Sequence, residues 1–358
     1  MPVTEKTNSF YNDNQINPAG TLGFAFLEFT SPDSQHLSTL FKNLGFVHAG
    51  NHKKKNVELW RQGRCNFLIN KEPQSFSEDF AKKHGPSVSG MAFQVHNVQA
   101  AYKHVRECGA KPYERNKNDW YDDGFVIYGI GDNLLYFIDD ETFYTKHFNM
   151  LTHADSGKDS FGLSYIDHVT HNVFRGKMNT WATFYEKLFN FHEIRYFDIK
   201  GKMTGLISRA MTSPCGKIRI PINESVDDKS QIEEFVRTLK GEGIQHIALA
   251  TPTIYETVEG MKQKGTKFLF TPDTYYKMIS KRLPHHTEPL ERMQKNKILI
   301  DGSPEKNGGI LLQIFTENCI GPVFFEIIQR KGDEGFGEGN FTALFKAMEL
   351  DQIERGVL

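Results

Sequence analysis

Four short stretches of alternating apolar and polar residues recur along the chain, and each leads into a segment with helical periodicity. They are Gly23-Phe-Ala-Phe-Leu-Glu-Phe29, Ser89-Gly-Met-Ala-Phe-Gln-Val95, Ile166-Asp-His-Val-Thr-His-Asn-Val173 and Ile244-Gln-His-Ile-Ala-Leu-Ala250. Period-two alternation predicts strands, and the spacing that follows predicts amphipathic helices ending near Gly or Asn. The helices correspond in pairs. Leu40-Phe-Lys-Asn-Leu-Gly-Phe46 echoes Tyr185-Glu-Lys-Leu-Phe-Asn-Phe191, and Tyr102-Lys-His-Val-Arg-Glu-Cys-Gly109 stands where Val258-Glu-Gly-Met-Lys-Gln-Lys-Gly265 stands. Gly109 and Gly265 suit the left-handed position that closes a helix. Each unit reads as β-α followed by two or three strands, so the chain is a fourfold repeat.

A polar stretch from Thr152 to Ser160 separates the first two units from the last two. Such composition marks a linker, and it predicts an N-terminal domain over residues 1–151 and a C-terminal domain over 161–358. After Arg330 comes Lys331-Gly-Asp-Glu-Gly-Phe-Gly-Glu-Gly-Asn340, which reads as a hinge or lid and carries neither the preceding βαβ pattern nor the Lys-Ser/Thr ending of a phosphate loop. A closing helix is predicted next, with Phe341, Leu344, Phe345 and Met348 on one face.

The length of 358 residues fits two cores. With 43 basic and 44 acidic residues the net charge is −1, which removes the electrostatic footprint of a nucleic-acid binder and leaves a small neutral or anionic ligand as partner. Residues Met1 to Gly20 lack the basic start and apolar core of a secretory signal, and no apolar run approaches the roughly 20 residues of a spanning helix. A cytoplasmic protein is expected. Cys65, Cys108, Cys215 and Cys319 are far apart and read as reduced thiols.

Three side chains stand out on predicted strands. His168 and His246 are each the third residue of an opening strand, in the third and fourth units, and Glu326 lies in the final strand Val323-Phe-Phe-Glu-Ile-Ile-Gln329. Any one of them alone is better explained as a satisfied core residue. Together, at equivalent repeat positions, they form a two-histidine, one-carboxylate set that leaves open positions and suits Fe(II) in an oxygenase. The first half supplies a control, because the same alignment sets Met91 opposite His246 and Tyr136 opposite Glu326, with no ligands. His171 is three residues from His168 and so faces the other side of the strand. His285 and His286 follow Pro284 in a polar stretch and are expected on an exposed loop.

The segments Asp167-His-Val-Thr-His-Asn-Val173, Tyr196-Phe-Asp-Ile-Lys200, Pro221-Ile-Asn-Glu224, Gly243-Ile-Gln-His-Ile-Ala248, Pro272-Asp-Thr-Tyr-Tyr276, Leu311-Leu-Gln-Ile-Phe315, Phe325-Glu-Ile-Ile-Gln-Arg330 and Gly335-Phe-Gly-Glu-Gly-Asn-Phe341 resemble the 4-hydroxyphenylpyruvate dioxygenase family in order and spacing. The resemblance implies an α+β, vicinal-oxygen-chelate (glyoxalase/bleomycin-resistance-like) fold, in which paired βαβββ modules form two open barrels. Residues 1–151 would be non-catalytic, and residues 161–358 would bind iron. One Fe(II) per chain on His168, His246 and Glu326 is implied, with O2 as co-substrate.

The implied reaction is oxidative decarboxylation of 4-hydroxyphenylpyruvate, ring hydroxylation and side-chain migration, giving homogentisate and CO2 in tyrosine and phenylalanine catabolism. Residues that match the family's substrate pocket are Ser208, Pro221, Asn223, Gln231, Gln245, Gln313, Phe315, Phe324, Phe336 and Phe341. The family's habit implies a dimer or tetramer. Two other enzyme outcomes share the triad: benzylic hydroxylation, as in the similar 4-hydroxymandelate synthases, and extradiol ring cleavage, which releases no CO2. A metal-free binding module on the same fold is the non-enzymatic alternative.

Overall fold

The computed structural model describes residues 17–140, 142–151, 160–200, 205–306, 308–340 and 342–344. Residues 1–16, most of the predicted linker, Phe341 and the predicted closing-helix positions Phe345 and Met348 lie outside the described residues.

Strands β1 (Thr21–Thr30), β2 (Val47–His52), β3 (Val57–Gln62), β4 (Cys65–Asn70), β5 (Ser87–Val95), β6 (Val126–Tyr128), β7 (Leu134–Ile138) and β8 (Phe148–Met150) form one eight-stranded sheet in the order β6-β7-β5-β1-β4-β3-β2-β8. Strands β9 (Tyr165–Val173), β10 (His192–Lys200), β11 (Gly205–Thr212), β12 (Arg219–Ser225), β13 (Gly243–Ala250), β14 (Leu299–Gly302), β15 (Ile310–Phe315) and β16 (Phe324–Lys331) form the other, ordered β10-β11-β12-β9-β13-β16-β15-β14. All four predicted opening strands are present, as β1, β5, β9 and β13.

The two sheets share a plan. In each, two opening strands pair antiparallel at the centre, and each opening strand pairs in parallel with the last strand of its own unit: β1 with β4, β5 with β7, β9 with β12 and β13 with β16. The helices predicted after them cover Ser34–Asn43, Val98–Glu107, Met178–Phe189 and Ile254–Gln263. Gly109 and Gly265 both take φ of +93°, as their helix-closing role requires, while Asn190 closes the third helix at +55°. Within the second unit Pro112 reduces one expected strand to a single bridge with Ile127, consistent with a residue that cannot donate to a ladder. The fourth unit inserts three short helices, Asp273–Lys277, Ile279–Arg282 and Leu290–Asn296, before β14.

A largely aromatic core joins the halves. Phe325 of β16 is fully buried, with its ring centre 6.4 Å from Phe29 and 5.8 Å from Phe67. No helix among the described residues is long and apolar enough to cross a membrane.

Candidate metal centre

Register places the three predicted ligands together. Across β9, β13 and β16 one row reads Thr170, His246, Phe324 and the next reads His168, Ala248, Glu326. Residues two apart on a strand share a face, so all six side chains point into the same concavity. The methyl group of Ala248 leaves the space over the middle strand open. His168 Nε2 lies 3.3 Å from Glu326 Oε2, and His246 Nε2 lies 3.6 Å from the same oxygen. One donor atom from each residue fits within a 4.8 Å circle of mutual distances.

Two β-bulges complete the arrangement. The ladder slips once between Ile244 and His246 and once between His168 and Ile166, which makes Gln245 and Asp167 the extra residues. A bulge turns its extra residue out of the strict alternation. Each of these side chains thereby reaches the histidine that follows it: Asp167 Oδ1 is 2.9 Å from His168 Nδ1, and Gln245 Oε1 is 3.0 Å from His246 Nδ1. Both Nδ1 atoms serve as donors, which leaves both Nε2 lone pairs facing the cavity. Thr170 donates to His246 Nε2 at 2.9 Å.

Glu326 is held in turn. Gln313 Nε2 donates to Glu326 Oε1 at 3.2 Å, and Asn340 Nδ2 donates to Gln313 Oε1 at 2.8 Å. Gly337, at φ +76°, lets the backbone pass against Gln313, where an added Cβ would overlap the amide oxygen.

The electrostatics fit a cation. Burial, together with the neighbouring His168, holds His246 well below its ordinary pKa, so it is a neutral donor. Burial also opposes protonation of His168, but the carboxylates of Glu326 and Asp167 outweigh it and raise its pKa. The field that favours a proton there equally favours a metal ion among the three donors. Asp167 is buried, yet the Arg330 fork and the His168 N–H hold its carboxyl far below the usual range. The second group of metal-capable side chains among the described residues, Asp122, Asp123 and His147, is of a different kind. Lys146 sits 2.7 Å from Asp123 and Lys54 3.5 Å from Asp122, so its charge is already matched.

A cavity of about 370 Å³ opens from the three donors. Nine of the ten predicted substrate residues line it: Ser208, Pro221, Asn223, Gln231, Gln245, Gln313, Phe315, Phe324 and Phe336. The tenth, Phe341, lies outside the described residues. Asn223 and Ser208 continue the row that begins at Asn172 and ends at Phe197 on β10. Gln231 is exposed and marks the rim. Phe324 stacks on His246 with ring centres 5.0 Å apart, and Phe336 meets His168 edge-on at 5.2 Å. Sequence reading missed Thr170, Phe197, Leu269 and Asn340. Parity from His168 was the available signal for Thr170.

His171 behaves as strand parity predicts. Its Nε2 shares a 2.7 Å hydrogen bond with the Tyr185 hydroxyl on the opposite face, and burial pushes its pKa from 6.5 to about 3. A histidine kept neutral in the fold contributes a stability loss that begins as pH falls through 6.5, where the unfolded chain takes up the proton, and continues down to about 3. His171→Phe, which installs the residue type found at the repeat-equivalent Phe29, is expected to remove about 1.4 kcal/mol per pH unit of that slope. Urea unfolding at several acidic pH values reads it, and an unchanged slope would contradict a buried neutral His171. His285 is exposed, as expected, and His286 partly so.

One expectation is corrected. Because Ala92 pairs with Tyr136 as Ala248 pairs with Glu326, the counterpart of His246 is Gly90 and not Met91. Tyr136 does stand at the place of Glu326. The first-half rows read Glu28, Gly90, Leu134 and Phe26, Ala92, Tyr136. Its bulges recur as well, with Ala25 and Ser89 where Asp167 and Gln245 stand. Buried Glu28 is consumed by Tyr136, Trp120 and Asn70, which donate at 2.6, 3.1 and 2.8 Å.

Comparison with known proteins agrees with this architecture. A family model described as hydroxyphenylpyruvate dioxygenase, N-terminal, matches residues 15–149, and the glyoxalase/bleomycin resistance protein/dioxygenase superfamily model matches residues 165–278. The 4-hydroxyphenylpyruvate dioxygenase of Pseudomonas aeruginosa is 51% identical over 357 residues, covering 98% of this chain and all of that protein. The chain belongs to the 4-hydroxyphenylpyruvate dioxygenase family. Hemolysin VllY of Vibrio vulnificus is 55% identical over 351 residues, 96% of this chain and 98% of that one. A solved mutant of 4-hydroxymandelate synthase from Streptomyces coelicolor, at 23% identity, superposes with a TM-score of 0.78 over 93% of this chain and 99% of that one, and shows that the family's vicinal-oxygen-chelate fold is present.

Proposed function

We propose that this chain is an Fe(II)-dependent 4-hydroxyphenylpyruvate dioxygenase, with the metal on His168, His246 and Glu326. The observation that carries the reading is the convergence of two Nε2 lone pairs and one carboxylate at the end of an aromatic-lined cavity. The donor set fits a non-haem ferrous site. Bound Fe(II) supplies the redox chemistry that joins O2 to the substrate's α-keto acid.

The chain's own residues bind and orient. Phe315, Phe324 and Phe336 wall the substrate's ring and exclude water. Ser208, Asn223 and Gln245 offer hydrogen bonds to its polar ends, Gln231 guards the rim, and Pro221 shapes the wall. One 4-hydroxyphenylpyruvate and one O2 then yield one homogentisate and one CO2. Residues 1–151 form the non-catalytic domain and 161–358 the catalytic one. The active form is a cytoplasmic dimer or tetramer.

The direct test is anaerobic reconstitution with Fe(II), addition of 4-hydroxyphenylpyruvate and O2, and identification of the product alongside CO2. Homogentisate with CO2 supports the reading. Hydroxymandelate with CO2 moves the chain to benzylic hydroxylation, and bound iron without turnover directs the search to catechols.

Gln313 does more than line the substrate cavity, because its amide also holds Glu326. Gln313→Ala is expected to keep iron at saturating Fe(II) while turnover falls at least about tenfold through lost orientation. Steady-state kinetics with metal analysis reads both quantities. A variant that cannot be loaded with iron would make Gln313 a determinant of metal binding.

A further inference from the structure

Arg330 is a buried, four-bonded cation beside the cavity, and the chemistry above leaves it without a role. It lies on β16 four residues beyond Glu326, and its side chain is 9% exposed. Its Nε and Nη2 donate to the two oxygens of Asp167 at 2.8 and 2.7 Å. Its Nη1 donates to the backbone carbonyls of Gly335 and Asp333 at 2.6 and 3.1 Å, and the guanidinium lies 5.8 Å from the centre of the Phe336 ring. Asp167 in turn accepts from His168 Nδ1, and Phe336 packs on the His168 ring. Arg219 adds a parallel tie, 3.6 Å from Asp167 and paired with Glu334.

We propose that Arg330 is a positioning residue that makes closure of segment 333–337 over the cavity and the placement of His168 one event. This rests on the reading of His168 as a metal ligand. The segment carries Gly335 and Gly337, and it contributes one large apolar side chain, Phe336. Its order therefore depends on polar ties. A planar fork can grip both carboxylate oxygens and still present a nitrogen to two carbonyls; a lysine ammonium cannot do both. Opening the segment strips Arg330 of two acceptors and lifts Phe336 off His168, so the grip on Asp167 and the aim of His168 loosen together. By reciprocity, fixing His168 from its Nε2 side favours closure. The far end of the strap is tied separately, Gly339 N to Asp301 at 2.7 Å and Asn340 through Gln313 to Glu326.

The test is residue-resolved hydrogen exchange on the full chain with and without Co(II), with Co(II) affinity measured by calorimetry on the same samples. In the parent, Co(II) is expected to slow exchange at Gly335 and Phe336 by at least roughly fivefold. In Arg330→Lys that slowing should fall below about twofold while it persists at Gly339 and Asn340, and Co(II) should bind about 10–100-fold more weakly. Should Arg330→Lys fail to unfold cooperatively on heating, Asp167→Asn replaces it, with the same loss expected at Gly335 and Phe336. Equal slowing in parent and variant overturns the proposal, as does a parent that binds Co(II) with no change at these two amides. A parent that binds no Co(II) overturns the metal-site reading itself, a result that calorimetry alone identifies.

Discussion

Glu326→Ala is expected to abolish homogentisate formation, with a loss beyond about 1,000-fold, because a metal-centred step supplies several kcal/mol of transition-state stabilisation that the site cannot otherwise replace. Glu326 is the one carboxylate among the three donors, and its Oε2 faces both imidazoles at 3.3 and 3.6 Å. Removing it leaves two neutral donors, which cannot hold a ferrous ion against solvent and buffer. The fold should survive, since the side chain faces the cavity and the opposite face of β16 is what packs into the core. His168→Ala and His246→Ala should behave alike. Product chromatography, metal analysis and far-ultraviolet circular dichroism together read the result. Iron-loaded Glu326→Ala with normal turnover would sink the ligand assignment.

Phe325→Ala should damage the same site from behind. The residue is adjacent to Glu326 in sequence and points away from the cavity, between Phe29 and Phe67 of the first domain. Truncating a fully buried phenylalanine costs about 3–5 kcal/mol, which corresponds to a fall in Tm of about 4–7 °C for a chain of this length. Metal affinity should also drop, because β16 carries Glu326, Phe324 and Arg330 and would lose the aromatic layer that supports it from behind, beside β13. Calorimetric unfolding and Fe(II) or Co(II) titration test the two effects. A Tm within about 2 °C of the parent's would mean that the first domain does not buttress this strand.

Much of the site was legible because repeats and alternation are simple rules. The position of His168 in β9 and of His246 in β13 followed from the repeat, and parity correctly sent His171 to the far face. Alternation failed where the ladder slips. It places Asp167 and Gln245 on the face opposite the histidines they precede, whereas the bulges bring both round to Nδ1. The first-half counterpart of His246 is Gly90 and not Met91 because the opening strand there begins one residue earlier than its apolar pattern suggests, with Val88 where Ile244 stands. The role of Arg330 was invisible for another reason: its partners at 167 and 335 are distant in sequence or backbone atoms, and neither leaves a pattern in residue types. The helices at 273–296 interrupt the fourth unit, and no periodicity in a repeat foretells an insertion.

The tyrosine at 136 closes the first sheet to a matching metal site. A side chain on residue 90 would meet the Tyr136 ring at 2.7 Å, so a histidine cannot be accommodated there while that tyrosine remains. Exchanging Tyr136 first would leave buried Glu28 short of a hydrogen bond. Phe26 also holds the place of the other imidazole. No single substitution at residue 26, 90 or 136 therefore builds a second donor set in the first sheet, because each of the three places is blocked by, or committed to, its neighbours.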